Sequence, residues 1–432
     1  MRKEMGETVS DIYDSNFEIP VGPQHPALKE PANFTFKVDG EYVVDVEANV
    51  SYTHRGIEKA AESRTYIQNL YLVERICGIC SNAHQLCYAQ GVEQLLEMEA
   101  PPRARYIRVI VAELERIHSH MLWVGVAAHE IGFDTLFYYT WRDREVVMDL
   151  LERISGNRVN YAMCTIGGVR RDIPPEICNE ILKGLKIFDQ RLKVYKEICA
   201  KEKTILKRAV GVGVLKPSDA ISLCAVGPTL RASGVKRDVR ADDPYQAYDE
   251  IPFNVVTYDG CDVAARVFTR IDEMIESINM IKYAIDHLPP GPIRIKVPMT
   301  VSRNETVSRT EAPRGEDIHY IRSNGSDRPE RLKVRAPTLG NILAVCKMLI
   351  GGYIADIPIV FAAIDPCLSC TARTTFIDVG SGKKWIWSDE ELRRYGIRWY
   401  QSKGDGGVKK NGFKKFNLQD RSRLGWIEWR GG

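Results

Sequence analysis

The chain has 432 residues, 44% of them hydrophobic and 27% charged, which is the balance of a globular protein with a sizeable core. Its 60 basic and 57 acidic residues leave a net charge of +3, so there is no electrostatic case for nucleic acid or an acidic substrate. No apolar run approaches the ~20 residues of a membrane span, and the polar start, Met1 to Asn16, lacks an apolar signal core. A cytoplasmic protein, still able to dock on a membrane complex, is the expectation.

The first elements read as strands. Phe34 to Val38 and Glu41 to Tyr52 flank Asp39-Gly40, a two-residue hairpin signal. Val43, Val44, Val46 and Val50 supply β-branching suited to a half-buried pleated surface. The segment Val21-Gly22-Pro23-Gln24-His25-Pro26 is too rich in proline for a regular element and reads as an ordered loop.

From about Glu58 the periodicity is helical. Ile107, Val111, Leu114, Ile117 and Met121 form one apolar stripe over 103–123. Residues 144–155 and 176–206 continue in kind, and 207–260 is rich in loops. Val267, Ile271, Met274, Ile278 and Ile281 mark a helix over 262–288 that Pro289-Pro290-Gly291-Pro292 stops. Another buried helix is expected over 338–354, ending near Gly351-Gly352, and a short one from Ser388, where Ser388 and Glu391 make a capping box. The expected fold class is mainly α with a small antiparallel β-sheet (α+β). The expected organisation is one domain over 1–401, with a β region at 17–54, a helical core at 58–354 and a cysteine motif at 355–373. A Gly- and Lys-rich extension follows over 402–432.

Eleven cysteines, an odd number scattered along the chain, argue against a disulfide framework. Cys87, Cys164, Cys178, Cys199, Cys224, Cys261 and Cys346 have no motif partner and read as small buried apolar residues. The other four form two CxxC pairs, Cys77/Cys80 and Cys367/Cys370, with 286 residues between Cys80 and Cys367. Structural zinc modules keep their pairs within roughly 15–20 residues. Cys77 follows a helix-like run, Tyr66 to Ile76, and Cys367 follows an apolar run, Ile357 to Ile364, broken by Asp-Pro. Such pairs meet only if the fold joins distant elements, and four thiolates round one point favour nickel, iron or zinc.

Arg75-x-Cys77-Gly78-x-Cys80-x-x-x-His84, with Asp365-Pro366-Cys367-x-x-Cys370-x-x-Arg373, resembles the signature of nickel–iron hydrogenase large subunits, and Glu311-Ala312-Pro313-Arg314-Gly315 matches a third motif of that family. Gly22-Pro23-Gln24-His25-Pro26-Ala27 and His54-Arg55-Gly56-Ile57-Glu58-Lys59 are similar to segments of the 49-kDa-type subunit of respiratory complex I. Both sets together resemble the membrane-bound, complex-I-related (group 4) hydrogenases, the formate hydrogenlyase type among them. Ile166 to Asp172 and Val226 to Gly234 suit the same group, and the likeness runs to about residue 400. Arg373, where soluble hydrogenases carry histidine, is usual in this group.

The resemblance implies a helical bundle shared with the 49-kDa-type subunit, and a NiFe centre whose iron carries carbonyl and cyanide ligands. Cys77 and Cys370 would bind nickel alone, and Cys80 and Cys367 would bridge nickel and iron. Arg314 would stand over the open metal position; without the motif it reads as an ion-pair partner of Glu311 or Glu316. Glu30 matches an acidic position near the active site, or else is an exposed loop glutamate. His84 would hydrogen-bond a cysteine sulfur or lie beside a neighbouring cluster ligand, with a buried structural role as the alternative. Asp365 would fix the turn that aims Cys367. Arg75 and Arg373 complete the motif residues expected near the cofactor. His25 and His54 would line a subunit interface, couple the site to membrane partners, or simply pack a loop. His118, His120 and His129 carry no ligand role.

No other cysteine cluster has iron–sulfur spacing, so electrons must leave through another chain. The resemblance implies a small subunit with a four-iron cubane cluster, membrane subunits related to complex I and to ion antiporters, and a place on the cytoplasmic face of the membrane. The reaction implied is reduction of protons to hydrogen, or its reverse, coupled to ion translocation. In this family the chain is commonly cut just after the last motif, and here 59 residues follow Arg373. An unprocessed precursor, a lineage without cleavage, and a relative without nickel and iron all stay open. The last corresponds to a sulfane sulfur reductase, the alternative function. A zinc-stabilised assembly subunit is a third reading. The quinone-reducing complex I subunit lacks the cysteine pairs kept here.

Overall fold

In a computed structural model of the chain, the described residues are 16–371 together with 376–377, 384–385, 394 and 398. The expected helix from Ser388, the extension from 402 and Arg373 lie outside them.

The chain opens with an antiparallel sheet of β1 (Asn16–Val21), β2 (Asn33–Asp39) and β3 (Tyr42–Asn49) in the order β1-β2-β3. Alternation sorts its faces: Phe34, Phe36 and Val38 are buried, while Lys37 and Asp39 are exposed. The expected hairpin turn is present, with Gly40 at φ +57°. Gly351 and Gly352 hydrogen-bond Val43 on β3, and the Ile354 N–H donates to the Glu41 carbonyl just before it, which ties this sheet to the C-terminal half.

Helices α1 (Ile57–Ala61), α2 (Tyr66–Glu74) and α3 (Ser81–Leu95) lead into α4 (Pro102–Glu130), which is the longest helix described and starts with Pro102 in its first turn. Almost every face of α4 is buried, including Glu113, Glu115, Arg116, His118, Ser119 and His120, so it runs through the core. It packs against α5 (Asp134–Ser155) and α11 (Val263–Asp286). The five stripe residues expected on each of α4 and α11 are all buried. Between α5 and α11 lie the short pair β4 (Cys164–Thr165) and β5 (Gly168–Val169), then α6 (Pro175–Lys201) and α7 (Lys203–Ala209). Three short helices follow: α8 (Pro217–Ser222), α9 (Gly227–Arg231) and α10 (Val239–Asp242).

A second antiparallel sheet follows α11. It comprises β6 (Glu305–Ala312), β7 (Gly315–Ser323) and β8 (Pro329–Arg335), in the order β6-β7-β8. The segment 58–354, read from sequence as a helical core, therefore contains a sheet. Charged residues in its strands hide the alternation: on β7, Asp317, His319 and Ile321 are buried on one face. Ala312 pairs with Gly315, leaving Pro313-Arg314 as the turn. That turn lies against α9 with two glycines in contact. A Cβ on Gly227, at φ +68°, would sit 2.3 Å from the Arg314 carbonyl oxygen, and one on Gly315, at φ +127°, would sit 2.7 Å from the Gly227 nitrogen. Only glycine allows this approach. The chain then forms α12 (Pro337–Leu349) and α13 (Ile357–Ala363). Among the described residues no helix is long and apolar enough to cross a membrane.

Candidate metal centre

The two cysteine pairs enter the site from different elements. Cys77 and Cys80 occupy the link between α2 and α3, and Cys80 gives α3 no side-chain cap. Glu115 of α4 takes that place. Its carboxylate accepts the Asn82 N–H at 2.6 Å and the Ala83 N–H at 2.9 Å, with Ser81 Oγ at 3.5 Å, a favourable anion position at a helix N-terminus. Burial still pushes the Glu115 carboxyl up to about 8.

Cys367 and Cys370 follow α13. Asp365 turns the chain in the left-handed region, φ +55°. The Cys367 N–H donates to Thr338 Oγ1 at the start of α12, 3.0 Å away. A single helical turn, Leu368–Cys370, brings up the last thiol.

All four cysteines are at most 5% exposed, and their sulfurs lie within 4.8 Å of one another. Cys77 and Cys367 are 3.3 Å apart and Cys367 and Cys370 are 2.8 Å apart. Both separations are too long for an S–S bond of ~2.05 Å. They are short enough for ligands of one small centre with metal–sulfur bonds of ~2.3 Å. The group is not uniform. The Cys367 thiol hydrogen-bonds Cys77 and, with its neighbours, holds it well below the ordinary thiol pKa, whereas burial holds Cys370 well above it. Backbone N–H groups of Ile79 and Cys80 also point at the Cys77 sulfur, at 3.3 and 3.4 Å. Four convergent soft donors, closed off from water, suit a nickel–iron, iron or zinc centre.

Arg314 reaches this site from the β6–β7 turn. Its Nε donates to the Asp365 carbonyl at 2.8 Å, one terminal nitrogen to Asp365 Oδ1 at 2.8 Å and the other to Ser119 Oγ at 3.2 Å. Its ion-pair partner is thus Asp365. Glu311 pairs with Arg231, and Glu316 with Arg309 and Arg335. Glu30, in the loop between β1 and β2, accepts the Ser369 N–H at 2.9 Å and the Ser369 hydroxyl. It is half-buried and shares a cavity of about 230 Å³ with Cys77, Cys367, Arg314 and Trp123.

His84, on α3, is buried with Nε2 3.5 Å from Cys370 Sγ. Its other nitrogen lies 3.0 Å from Asp317 Oδ2 and 3.2 Å from His319 Nε2. Burial opposes charge on His84, but Asp317 outweighs it and raises the pKa. Other expected residues lie elsewhere. Arg75 is exposed on α2, bonded to Tyr71 and Glu74. His25 and His54 are exposed. His118 bonds the Ile79 carbonyl, and His120 bonds Glu273. Cys224 is exposed and Cys261 and Cys346 are half-buried, which corrects the expectation of buried thiols there; Cys87, Cys164, Cys178 and Cys199 are buried. Glu115, Ser119, Thr338, Asp317 and His319 were not expected at the site from sequence. Acidic or basic residues at buried strand positions next to the Glu-Ala-Pro-Arg-Gly motif were the signal for the last two.

Behind the site lies a second polar cluster. Arg231 bonds Glu273 and Glu311, each at 2.8 Å, and Arg240 bonds Asp238 at 2.7 Å and Glu113 at 3.1 Å. Arg116 adds Glu113 at 3.1 Å. All of these side chains are buried.

Two family descriptions match this chain: respiratory-chain NADH dehydrogenase 49 Kd subunit over 130–302 and 296–373, and nickel-dependent hydrogenase over 55–125. Membrane-bound hydrogenase subunit alpha of Pyrococcus furiosus is 42% identical over 396 residues, covering 88% of this chain and 92% of that one. An NADH-quinone oxidoreductase chain of Rhizobium etli is 40% identical over 377 residues, covering 81% and 93%. A chain in the solved structure of the membrane-bound sulfane sulfur reductase, an archaeal respiratory membrane complex, superposes with a TM-score of 0.80 at 30% identity, covering 84% of this chain and all of that one.

Proposed function

The chain belongs to the family of complex I 49-kDa subunits and nickel-dependent hydrogenases, as a large subunit of the complex-I-related, membrane hydrogenase type, and on that premise we propose that it carries a NiFe centre and interconverts protons and hydrogen. The observation that carries this reading is the convergence of four buried sulfurs from opposite ends of the chain. Cys77, Cys80, Cys367 and Cys370 would hold the nickel and iron. When bound, such a centre supplies the electron exchange and the open coordination position that hydrogen chemistry requires.

The chain's own residues supply the surroundings. Arg314, clamped by Asp365 and Ser119, presents a fixed cation beside the thiolates. Its planar donors can polarise a species in the cavity. Glu30 is the group that moves the proton. Its carboxylate is bonded at Ser369, one residue before Cys370, and lines the same cavity as Cys77 and Cys367. General acid–base work requires such a group within reach of the reacting atoms. Asp365 bends the chain into Cys367 and also holds Arg314. Electrons for proton reduction come from a partner small subunit with a four-iron cubane cluster, and return to it when hydrogen is oxidised; membrane subunits couple the reaction to ion movement on the cytoplasmic face.

A second reading is favoured by one observation, the similarity to the sulfane sulfur reductase chain. In that case the same fold and partners serve sulfur reduction. The test is hydrogen evolution by the purified complex, assayed beside polysulfide reduction and nickel analysis. Hydrogen evolution with nickel present supports the proposal. Polysulfide reduction without nickel replaces it with the second reading, and stoichiometric zinc without redox activity replaces both.

A further inference from the structure

We propose that Asp317 and His319 are positioning residues that lock the His84 imidazole with Nε2 aimed at the Cys370 sulfur. The inference rests on the metal-site reading above and concerns the one thiol of the four that faces an imidazole.

Asp317 and His319 are two apart on β7, so both project from the same face of the sheet, and both are fully buried. His84 Nδ1, His319 Nε2 and Asp317 Oδ2 form a triangle with sides of 3.0, 3.2 and 3.2 Å. A histidine with one nitrogen bound to a carboxylate has its ring orientation fixed, and its opposite nitrogen then points along one line. Here that line ends at Cys370 Sγ, 3.5 Å away.

Packing alone does not explain the group. Asp317 has no arginine or lysine partner among the described residues; its charged contacts are with the two imidazoles. Asp317 Oδ1 and Oδ2 and His319 Nδ1 are buried without a well-formed hydrogen bond, the Oδ2 contacts to the imidazoles being ion-pair contacts. Each such atom is destabilising relative to an apolar side chain of similar shape. A leucine–phenylalanine pair would fill this space more stably. The three polar side chains therefore make sense as a device that holds one ring in one orientation. Tyr88, whose ring lies 6.4 Å from that of His319, closes the far side.

The device acts on the cysteine and not on substrate. A hydrogen bond between Nε2 and the Cys370 sulfur alters the charge on that sulfur and so would tune the bond it makes to a metal. Second-layer partners of this type typically change metal affinity or activity by about 10- to 100-fold.

The test uses the intact complex carrying Asp317→Leu, Asp317→Asn or His319→Phe. The last keeps an aromatic ring, somewhat larger than imidazole, and removes the nitrogens; the melting temperature reports any cost of the extra volume. Nickel content, the nickel electron paramagnetic resonance spectrum and turnover are measured for each, beside the melting temperature. Asp317→Leu and His319→Phe should keep nickel, shift the nickel spectrum and lower turnover by about 10- to 100-fold. Asp317→Asn, which can still accept from His84, should restore the parent spectrum. Unchanged spectra in Asp317→Leu and His319→Phe, with nickel bound, would overturn the positioning role. A parent complex that lacks nickel would instead overturn the metal reading, and this proposal with it.

Discussion

Helix α4 carries two buried polar faces, and they are built differently. Glu113, Arg116 and His120 meet Arg231, Arg240, Asp238, Glu273 and Glu311, so acids and bases alternate and pair with one another, leaving Arg231 Nη2 and His120 Nδ1 without a partner. Glu115 and Ser119, with Trp123, border the thiol pocket, where four like donors converge. The first cluster is closed. A buried ion network of this kind holds elements in register, here α4, α9, α10, α11 and β6. The second is open. Sulfurs that converge without interleaved cations can all carry negative charge only when something positive lies among them. Arg314 is already bound to Asp365 and supplies just one charge. The contrast sets a self-paired ion cluster beside a group of donors that could hold a metal ion.

The comparison can be broken in order of expected effect. Cys370→Ser should reduce turnover to background and lower nickel content, with the melting temperature of the complex little changed. Retained turnover would remove the nickel reading. Glu113→Gln should do the reverse. It leaves Arg116 and Arg240 short of a counter-charge and should destabilise the chain by about 3–5 kcal/mol, measured by denaturant unfolding, while the folded fraction keeps its metal. A neutral Glu113→Gln would show that the ion cluster is not the scaffold.

Arg314→Lys should keep metal content and lower turnover roughly 100-fold, because lysine cannot bond Asp365 and Ser119 through a planar fork. Unchanged rates would reduce Arg314 to a structural ion pair.

The scaffold also has an acid signature. Burial alone would raise the Glu113 pKa, but Arg116 and Arg240 outweigh it and hold it at about 2, against an ordinary 4.5. A value depressed by folding stabilises fully above the ordinary pKa, and that stability is lost as pH falls from about 4.5 toward about 2. The parent should lose stability more steeply across that window than Glu113→Gln; parallel slopes would contradict the assignment. The smallest effect belongs to Lys29→Met. It removes the partly exposed Lys29–Glu130 ion pair at the cavity rim and should change stability by less than about 1 kcal/mol. A larger loss would mean that this pair holds the loop between β1 and β2 closed.

The long helices and the converging cysteines were legible in the sequence for different reasons. Ile271, Met274, Ile278 and Ile281 repeat with a helical period, so α11 could be read from residue spacing alone. The two CxxC pairs have short, specific patterns, although nothing local says that Cys80 and Cys367 meet. The β6–β8 sheet was missed because Arg309, Glu311, Asp317 and His319 occupy strand positions where an alternating apolar pattern is normally expected. The partners of Arg314 were missed for a related reason. Glu311 and Glu316 are close in sequence, whereas Asp365 is 51 residues away and is brought near by the turn ahead of Cys367. Glu115 lies on the same helix as Glu113, and only the fold distinguishes a carboxylate that caps α3 from one that joins the ion cluster.

The most direct measurement is metal analysis of the purified intact complex, in the parent and in Cys370→Ser. The account predicts about one nickel per chain, lost in the variant. Zinc in its place, or four cysteines that bind no transition metal in an active complex, would contradict it.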